Sequence, residues 1–340
     1  MERIFHYHIT EKEAGYPIRD FLYKKGYSRQ NIIALKKKED SILLNGKWEY
    51  MNCRLRPGDE LIVKLLEERS NEQILPVDLP FPIVYEDEDL LVINKPADMP
   101  THPSLNNYTN TLANAAAFYF AKQGISYTFR CINRLDKDTT GLTILAKHML
   151  SAGILSKMVQ DRTILREYRA LVSGTLPQKC GTIDAPIGRE HASLITRRID
   201  PVNGERAVTH YQVLKEYDTF SYVSLRLETG RTHQIRVHMA SVGCPLLGDY
   251  LYHPAYSRQP CLTDSCALQS GRFLQPTALQ TFSCPDTQKE SLSARNLPAL
   301  TRQALHAYRL SFLHPITGKP LTFTAPLPDD MSALLTGSSL

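Results

Sequence analysis

At 340 residues, with 42% apolar and 22% charged side chains, the chain has room for two or three domains and the composition of an ordinary soluble protein. No apolar run approaches the roughly 18–20 residues that cross a bilayer, and the start Met1-Glu2-Arg3-Ile4-Phe5-His6 lacks a secretory pattern, so the sequence reading is cytoplasmic with no membrane partner. Seven cysteines without a repeated pair spacing argue against a disulfide framework, and a net charge of +5 is compatible with a nucleic-acid partner without requiring one.

Residues 1–70 read as a small separate unit. Ile18, Phe21 and Leu22 recur at helical spacing, and Ile32, Ile33 and Leu35 resume it after a break at Gly26. Arg19, Lys24, Lys25, Arg29, Lys36, Lys37 and Lys38 crowd this stretch against a single acid, Asp20. A strand at Ile42–Leu44, an Asn45-Gly46 turn and a strand at Glu60–Leu65 follow. Such a face could be no more than a solvated helix surface. Two basic helices before a hairpin nevertheless resemble the S-four-type RNA-binding domain, and clustered Lys and Arg suit contact with phosphates.

Residues 71–80, within a polar stretch carrying Pro76 and Pro80, read as a linker. The larger domain is assigned to 81–330, with 331–340 as a tail. It opens with two strands between Pro82 and Pro96, then a helix over Thr109–Gln123 stopped at Gly124. Tyr127–Ile132 and Leu142–Ala146 read as buried strands, and His148–Gln160 as a helix with Leu150, Ile154, Leu155 and Met158 on one side. Segments 166–174, 206–216 and 220–228 alternate as half-buried strands. Thr232 is expected to cap a helix over His233–Val242 ahead of Gly243. Two strands, Ala304–Leu313 and Lys319–Thr324, end the pattern. The fold class is α+β, a mixed and mostly antiparallel sheet domain behind a small α/β unit. Residues 256–297 are polar and aperiodic and read as a mobile insertion; Cys261, Cys266 and Cys284 lack zinc-site spacing, so no metal is expected.

Three segments carry chemistry. Asn133-Arg134-Leu135-Asp136-Lys137-Asp138-Thr139-Thr140-Gly141 is a polar loop between apolar runs. Arg166-Glu167-Tyr168-Arg169 sets a tyrosine among basic residues on a strand, and Gly230-Arg231-Thr232-His233-Gln234-Ile235-Arg236-Val237-His238 opens a helix dense with donors. No dinucleotide fingerprint, phosphate loop, zincin motif or nucleophile elbow occurs. A glycosidase would require two placed carboxylates, whereas these loops offer one prominent acid among many cations, which suits an anionic polymer.

In this order the three segments resemble the RluA-type pseudouridine synthases over roughly residues 80–330. Pro245-Leu246-Leu247-Gly248-Asp249 and Leu305-His306-Ala307 also stand where that family has them. The resemblance implies an RNA-modifying isomerase, an intramolecular transferase that needs no cofactor. It implies Asp136 as catalytic carboxylate, Arg236 as its pairing guanidinium, Tyr168 stacked on the target base and Arg134 inserted as the uridine is flipped out. Arg231 and Lys137 read as phosphate contacts, and Asp138, His233 and His238 as structural. Attack at the anomeric carbon, attack at carbon 6 and a glycal route all stay open. Asn133 stands where the family most often has His. The substrate expected first is large-subunit rRNA and second tRNA, the protein acting as a monomer. The competing reading is a non-catalytic RNA-binding or ribosome-assembly factor.

Overall fold

The computed structural model describes residues 2–66, 74–190, 193, 195–256 and 300–337. The expected insertion lies, but for Tyr256, outside the described residues, as do Cys261, Cys266 and Cys284. In the first unit β1 (Glu2–His8), helices α1 (Ile18–Lys24) and α2 (Arg29–Lys36), and β2 (Ile42–Leu44), β3 (Lys47–Trp48) and β4 (Glu60–Leu66) form a four-stranded sheet in the order β1-β4-β2-β3. Strand β1 escaped the sequence reading because its apolar content is thin. It is buried chiefly through Phe5. Ser28 caps α2 in a capping box with Asn31. Ile18, Phe21 and Leu22 are buried as expected, each contributing on the order of 1.5–3 kcal/mol. Ile33, also expected to face inward, is instead exposed, because α2 turns Ile32 and Leu35 to the core.

The larger unit holds β5 (Ile83–Glu86), β6 (Leu90–Lys95), α3 (Leu112–Ala121), β7 (Thr140–Ala146), α4 (Met149–Gln160), β8 (Leu165–Ser173), β9 (Cys180–Asp184), β10 (Ile187–Arg189), β11 (Arg197–Ile199), β12 (Val208–Glu216), β13 (Phe220–Leu227), α5 (Gln234–Ser241), β14 (Leu305–Leu313), β15 (Pro320–Thr324) and α6 (Asp329–Thr336). Its nine-stranded sheet runs β5-β6-β7-β14-β8-β13-β12-β9, with β15 on β14. Every pairing in it is antiparallel except β7 with β14, so the α+β class stands. Among the described residues no helix is long and apolar enough to cross a membrane.

Three local readings change. Segment 127–132 is not a strand: it lies along β7 through Ile132 N–H to the Ile144 carbonyl, Ala146 N–H to the Arg130 carbonyl and one Cys131–Leu145 bridge. Its apolar residues serve packing instead, Tyr127 and Phe129 joining the core beneath α3. The cap of α5 is His233 in a left-handed conformation (φ 57°), not Thr232. The turn is closed by the Gln234 side chain, which accepts from Arg231 N–H and the Thr229 hydroxyl. The expected tail begins inside α6, whose Met331 is fully buried against Leu171 and Phe220.

The two units share a core. Leu150 of α4 lies among the buried residues of the first unit, with Met149, Ile154 and Ile316 packed around it. Gly26 (φ 92°) meets Ile154 so closely that a Cβ there would fall 2.7 Å from its Cγ1. Arg3 of β1 adds ion pairs to Asp89 at 2.9 Å and Glu88 at 2.7 Å.

Candidate active site

Strand pairing assembles the site before any side chain is considered. Ala307 of β14 stands opposite Tyr168 on one side and Gly141 on the other, so β7, β14 and β8 bring the tyrosine beside the end of the polar loop. Gly141 (φ 110°) permits this: a Cβ would lie 2.3 Å from the Ala307 carbonyl oxygen.

The loop is held by its backbone. Lys95, fully buried at the end of β6, donates to the carbonyls of Pro96, Met99 and Lys137 at 2.8, 2.8 and 2.9 Å. Burial pushes its pKa down, and the Asp138 and Asp136 carboxylates resist. The Thr101 hydroxyl donates to the Leu135 carbonyl, and Arg302, itself paired with Asp330 of α6, to that of Asp138. Asn133 is buried. Its amide donates to the Leu142 carbonyl and accepts from Ile144 N–H, which anchors the loop entrance to β7.

With carbonyls 135, 137 and 138 fixed, the Asp136 side chain reaches a cavity of about 610 Å³. Arg134, Lys137, Arg166, Tyr168, Arg231 and Arg236 line it too. The six expected residues Arg134, Asp136, Lys137, Tyr168, Arg231 and Arg236 are therefore brought together, while Arg19, Lys24, Lys25, Arg29, Lys36 and Lys37 are exposed on the first unit. Arg236 is buried and grips Asp249 in a fork, Nε to Oδ2 and Nη2 to Oδ1 both at 2.7 Å. Its Nη1 lies 3.4 Å from Asp136 Oδ2. Burial opposes the cation, but Asp249 outweighs it and Arg236 is held more firmly charged than usual.

Tyr168 is buried, and burial raises its pKa, so the phenol stays protonated at neutral pH. Its hydroxyl makes no hydrogen bond among the described residues. Arg134 is exposed and likewise without a protein partner. Arg231 pairs with Glu205, and Lys137 with Asp98 at 2.7 Å.

Sequence reasoning treated two groups too lightly. His233 was expected to be structural, yet its Nε2 lies 3.9 Å from Asp136 Oδ2. The Tyr252 hydroxyl accepts from Arg197 N–H and shares a hydrogen bond with His233 Nδ1 at 2.8 Å, which fixes the ring with Nε2 on the side of the carboxylate. Burial lowers the pKa of this ring, which keeps it neutral. Asp249 was quoted only as part of a motif. It is fully buried, and Oδ1 also accepts from Leu251 and Tyr252 N–H. A lysine closing the apolar strand Leu90–Asn94 was the visible signal for Lys95. His238 is buried and satisfied by Thr209 and Ala185, a core histidine as expected.

Among the described residues, Asp87, Asp89 and His314 lie close enough together to hold a cation. Their atoms are already engaged: His314 Nδ1 accepts from Ile316 and Thr317 N–H, so its Nε2–H donates to Asp87. Asp89 accepts from Arg3 and His148. The cluster serves the joint between the two units.

Known proteins resemble this chain in sequence and fold. The family model of RNA pseudouridylate synthases matches residues 89–241. YjbO of Bacillus subtilis, named an RNA pseudouridine synthase, is 36% identical over 95% of this chain and 99% of its own. The ribosomal large subunit pseudouridine synthase D of Vibrio cholerae is 39% identical over 81% of this chain and 76% of its own. Among solved structures, human RNA pseudouridylate synthase domain containing 4 aligns with a TM-score of 0.52 at 25% identity, over 76% of this chain and 92% of that one.

Proposed function

The chain belongs to the RNA pseudouridylate synthase family, and from that premise we propose that it isomerises uridines in structured large-subunit ribosomal RNA, with transfer RNA the second candidate. It is an enzyme of RNA modification, and the isomerase chemistry is that of its family. The rRNA assignment rests on relatives named for the large ribosomal subunit, such as the Vibrio cholerae and Neisseria meningitidis proteins. Work on ribosomal RNA would set the reaction in the cytoplasm.

The observation that carries the catalytic reading is the convergence of Asp136, Tyr168 and Arg236 on one cation-lined cavity. Moving a uracil from a nitrogen to a carbon linkage needs a carboxylate that stays oriented while the base leaves and turns. Asp136 has that post, with Arg236 Nη1 on one oxygen and a backbone tied at three neighbouring carbonyls. Tyr168 offers a ring against which the base can stack and a phenol proton free for it. Arg134, exposed and without an ion pair or hydrogen bond among the described residues, would fill the gap left by an extruded uridine, a step that needs a few kcal/mol. Arg231 and Lys137 are cations for flanking phosphates.

Mapping pseudouridines in rRNA and tRNA of a strain lacking the protein tests the substrate. Loss of one or a few large-subunit sites, restored by the intact gene but not by Asp136→Asn, supports the proposal. An unchanged rRNA map with lost tRNA sites moves the substrate to tRNA.

A further inference from the structure

A second cavity, of about 310 Å³, opens in the first unit and takes no part in the chemistry above. That volume sits at the lower end of the range, roughly 300–1,000 Å³, in which small ligands are held. Its base is apolar, with Leu35, Ile42 and Met51 all buried. Its outer wall is the pair Trp48 and Tyr50, ring centroids 4.6 Å apart at 67°. Both rings are open to solvent, Trp48 at 43% and Tyr50 at 67% exposure.

Local structure explains how two large aromatics come to stand there. Asn45 (φ 52°) and Gly46 (φ 78°) make the tight turn of the β2–β3 hairpin, and β3 is the edge strand of its sheet. Exposed aromatics on an edge invite self-association unless they have a use. Two cations border the same cavity: Arg19 from the start of α1 and Lys36 from the end of α2. Glu49 is its one acid, which disfavours a phosphate inside while offering an acceptor to a ring N–H or amino group.

An apolar floor, an aromatic wall, a carboxylate within and cations at the border match one chemical object: an unpaired nucleobase still joined to its phosphates. We propose that this cavity takes an unstacked nucleotide of the RNA substrate, the base against Trp48 and Tyr50 and the adjoining phosphates on Arg19 and Lys36. The proposal rests on the reading that the chain acts on RNA, and adds a second, sequence-tolerant grip away from the catalytic cavity. Aromatic stacking suits such a role because every base has a π-face. Arg19 and Lys36 thereby part from the other exposed cations of the two helices, which are left to general phosphate contact.

Trp48 is the only tryptophan of the chain, so its emission, excited where tyrosine does not absorb, reports on this cavity alone. The probe is a single-stranded oligoadenylate, which has no uridine for the catalytic cavity. Saturable quenching is expected, kept in full by Asp136→Asn and weakened about tenfold in affinity by Tyr50→Ala. A blunt RNA duplex, whose bases are stacked inside, should leave the emission unchanged. Emission that ignores bound oligoadenylate, equal quenching by the duplex, an unaltered Tyr50→Ala titration or no binding of oligoadenylate would each overturn the proposal. None of these outcomes bears on isomerisation by the intact enzyme, which is scored separately.

Discussion

Arg236 commits two of its guanidinium nitrogens to Asp249, both at 2.7 Å, and only Nη1 reaches Asp136, at 3.4 Å. The arginine is thus aimed by a buried acid rather than by the carboxylate it serves. Such forked pairing fixes the plane of the guanidinium, which a lysine could not reproduce. Asp249 is in this sense a positioning residue. Replacing it with Asn weakens the fork while keeping the shape. The rate is expected to fall on the order of ten- to a hundredfold, equivalent to roughly 1.4–2.8 kcal/mol in the barrier. Steady-state kinetics should place the loss in kcat; a rise confined to KM would mean that Asp249 serves RNA binding instead.

Tyr168 pairs a buried ring with a hydroxyl that makes no hydrogen bond among the described residues, and on the proposed reading that hydroxyl serves the substrate. Tyr168→Phe keeps the ring and removes the proton. It should therefore lower kcat by about a hundredfold while KM stays within about threefold. Full activity in the Phe variant would reduce Tyr168 to a stacking surface.

His306 ties β14 to the first residue of β7: its ring accepts from or donates to the Thr140 hydroxyl at 2.8 Å and reaches the Ala325 carbonyl at 3.3 Å. Burial pushes its pKa down to about 4, below the 6.5 of an unconstrained histidine. Between those values the unfolded chain binds the extra proton and the folded one does not. Stability from this group is complete above about pH 6.5 and is lost as pH falls through about 4, a loss of up to ~3 kcal/mol. Denaturant unfolding over this range should show the decline, and His306→Gln should flatten part of it. Parallel curves for both proteins would contradict the assignment.

Asp89 accepts from Arg3 of the first unit and from His148 at the head of α4, itself in edge contact with Phe5. His148 Nδ1 accepts from Ser151 N–H, so its Nε2–H is the donor to Asp89. Asp89→Asn should loosen the seating of the first unit by about 1–3 kcal/mol. Faster hydrogen exchange in β1 and α4, with little change in β12 and β13, is the expected signature. Uniform destabilisation across both units would indicate a general folding defect.

Much of this was legible from residue order. The two strands between Pro82 and Pro96 announced themselves as apolar runs on either side of an acidic turn, and α2 by its Ile32 and Leu35 face. The loop around Asp136 stood out because polar groups interrupt buried sequence. What escaped was set by partners distant in the chain. Strand β1 exists because β4 offers it an edge distant in the chain, Phe5 opposite Val63, 58 residues away. Segment 127–132 has strand-like residues, but its rings were drawn into the core under α3. The αL turn at His233 follows from Gln234 bonding back to Arg231 and Thr229, a geometry that a Thr next to a helix start conceals. Arg236 was expected beside Asp136, but Asp249 is 113 residues from Asp136, so its share of that arginine could be seen only once the chain had folded.

Tritium release from RNA labelled at carbon 5 of uridine measures the isomerisation itself, since the new carbon–carbon bond expels that hydrogen. Asp136→Asn removes the charge and keeps the volume, leaving Arg236 and the loop carbonyls as they are. Release is expected to fall to background while RNA binding, followed by anisotropy, is retained. Undiminished release from the Asn variant would contradict the placing of Asp136 at the centre of the chemistry.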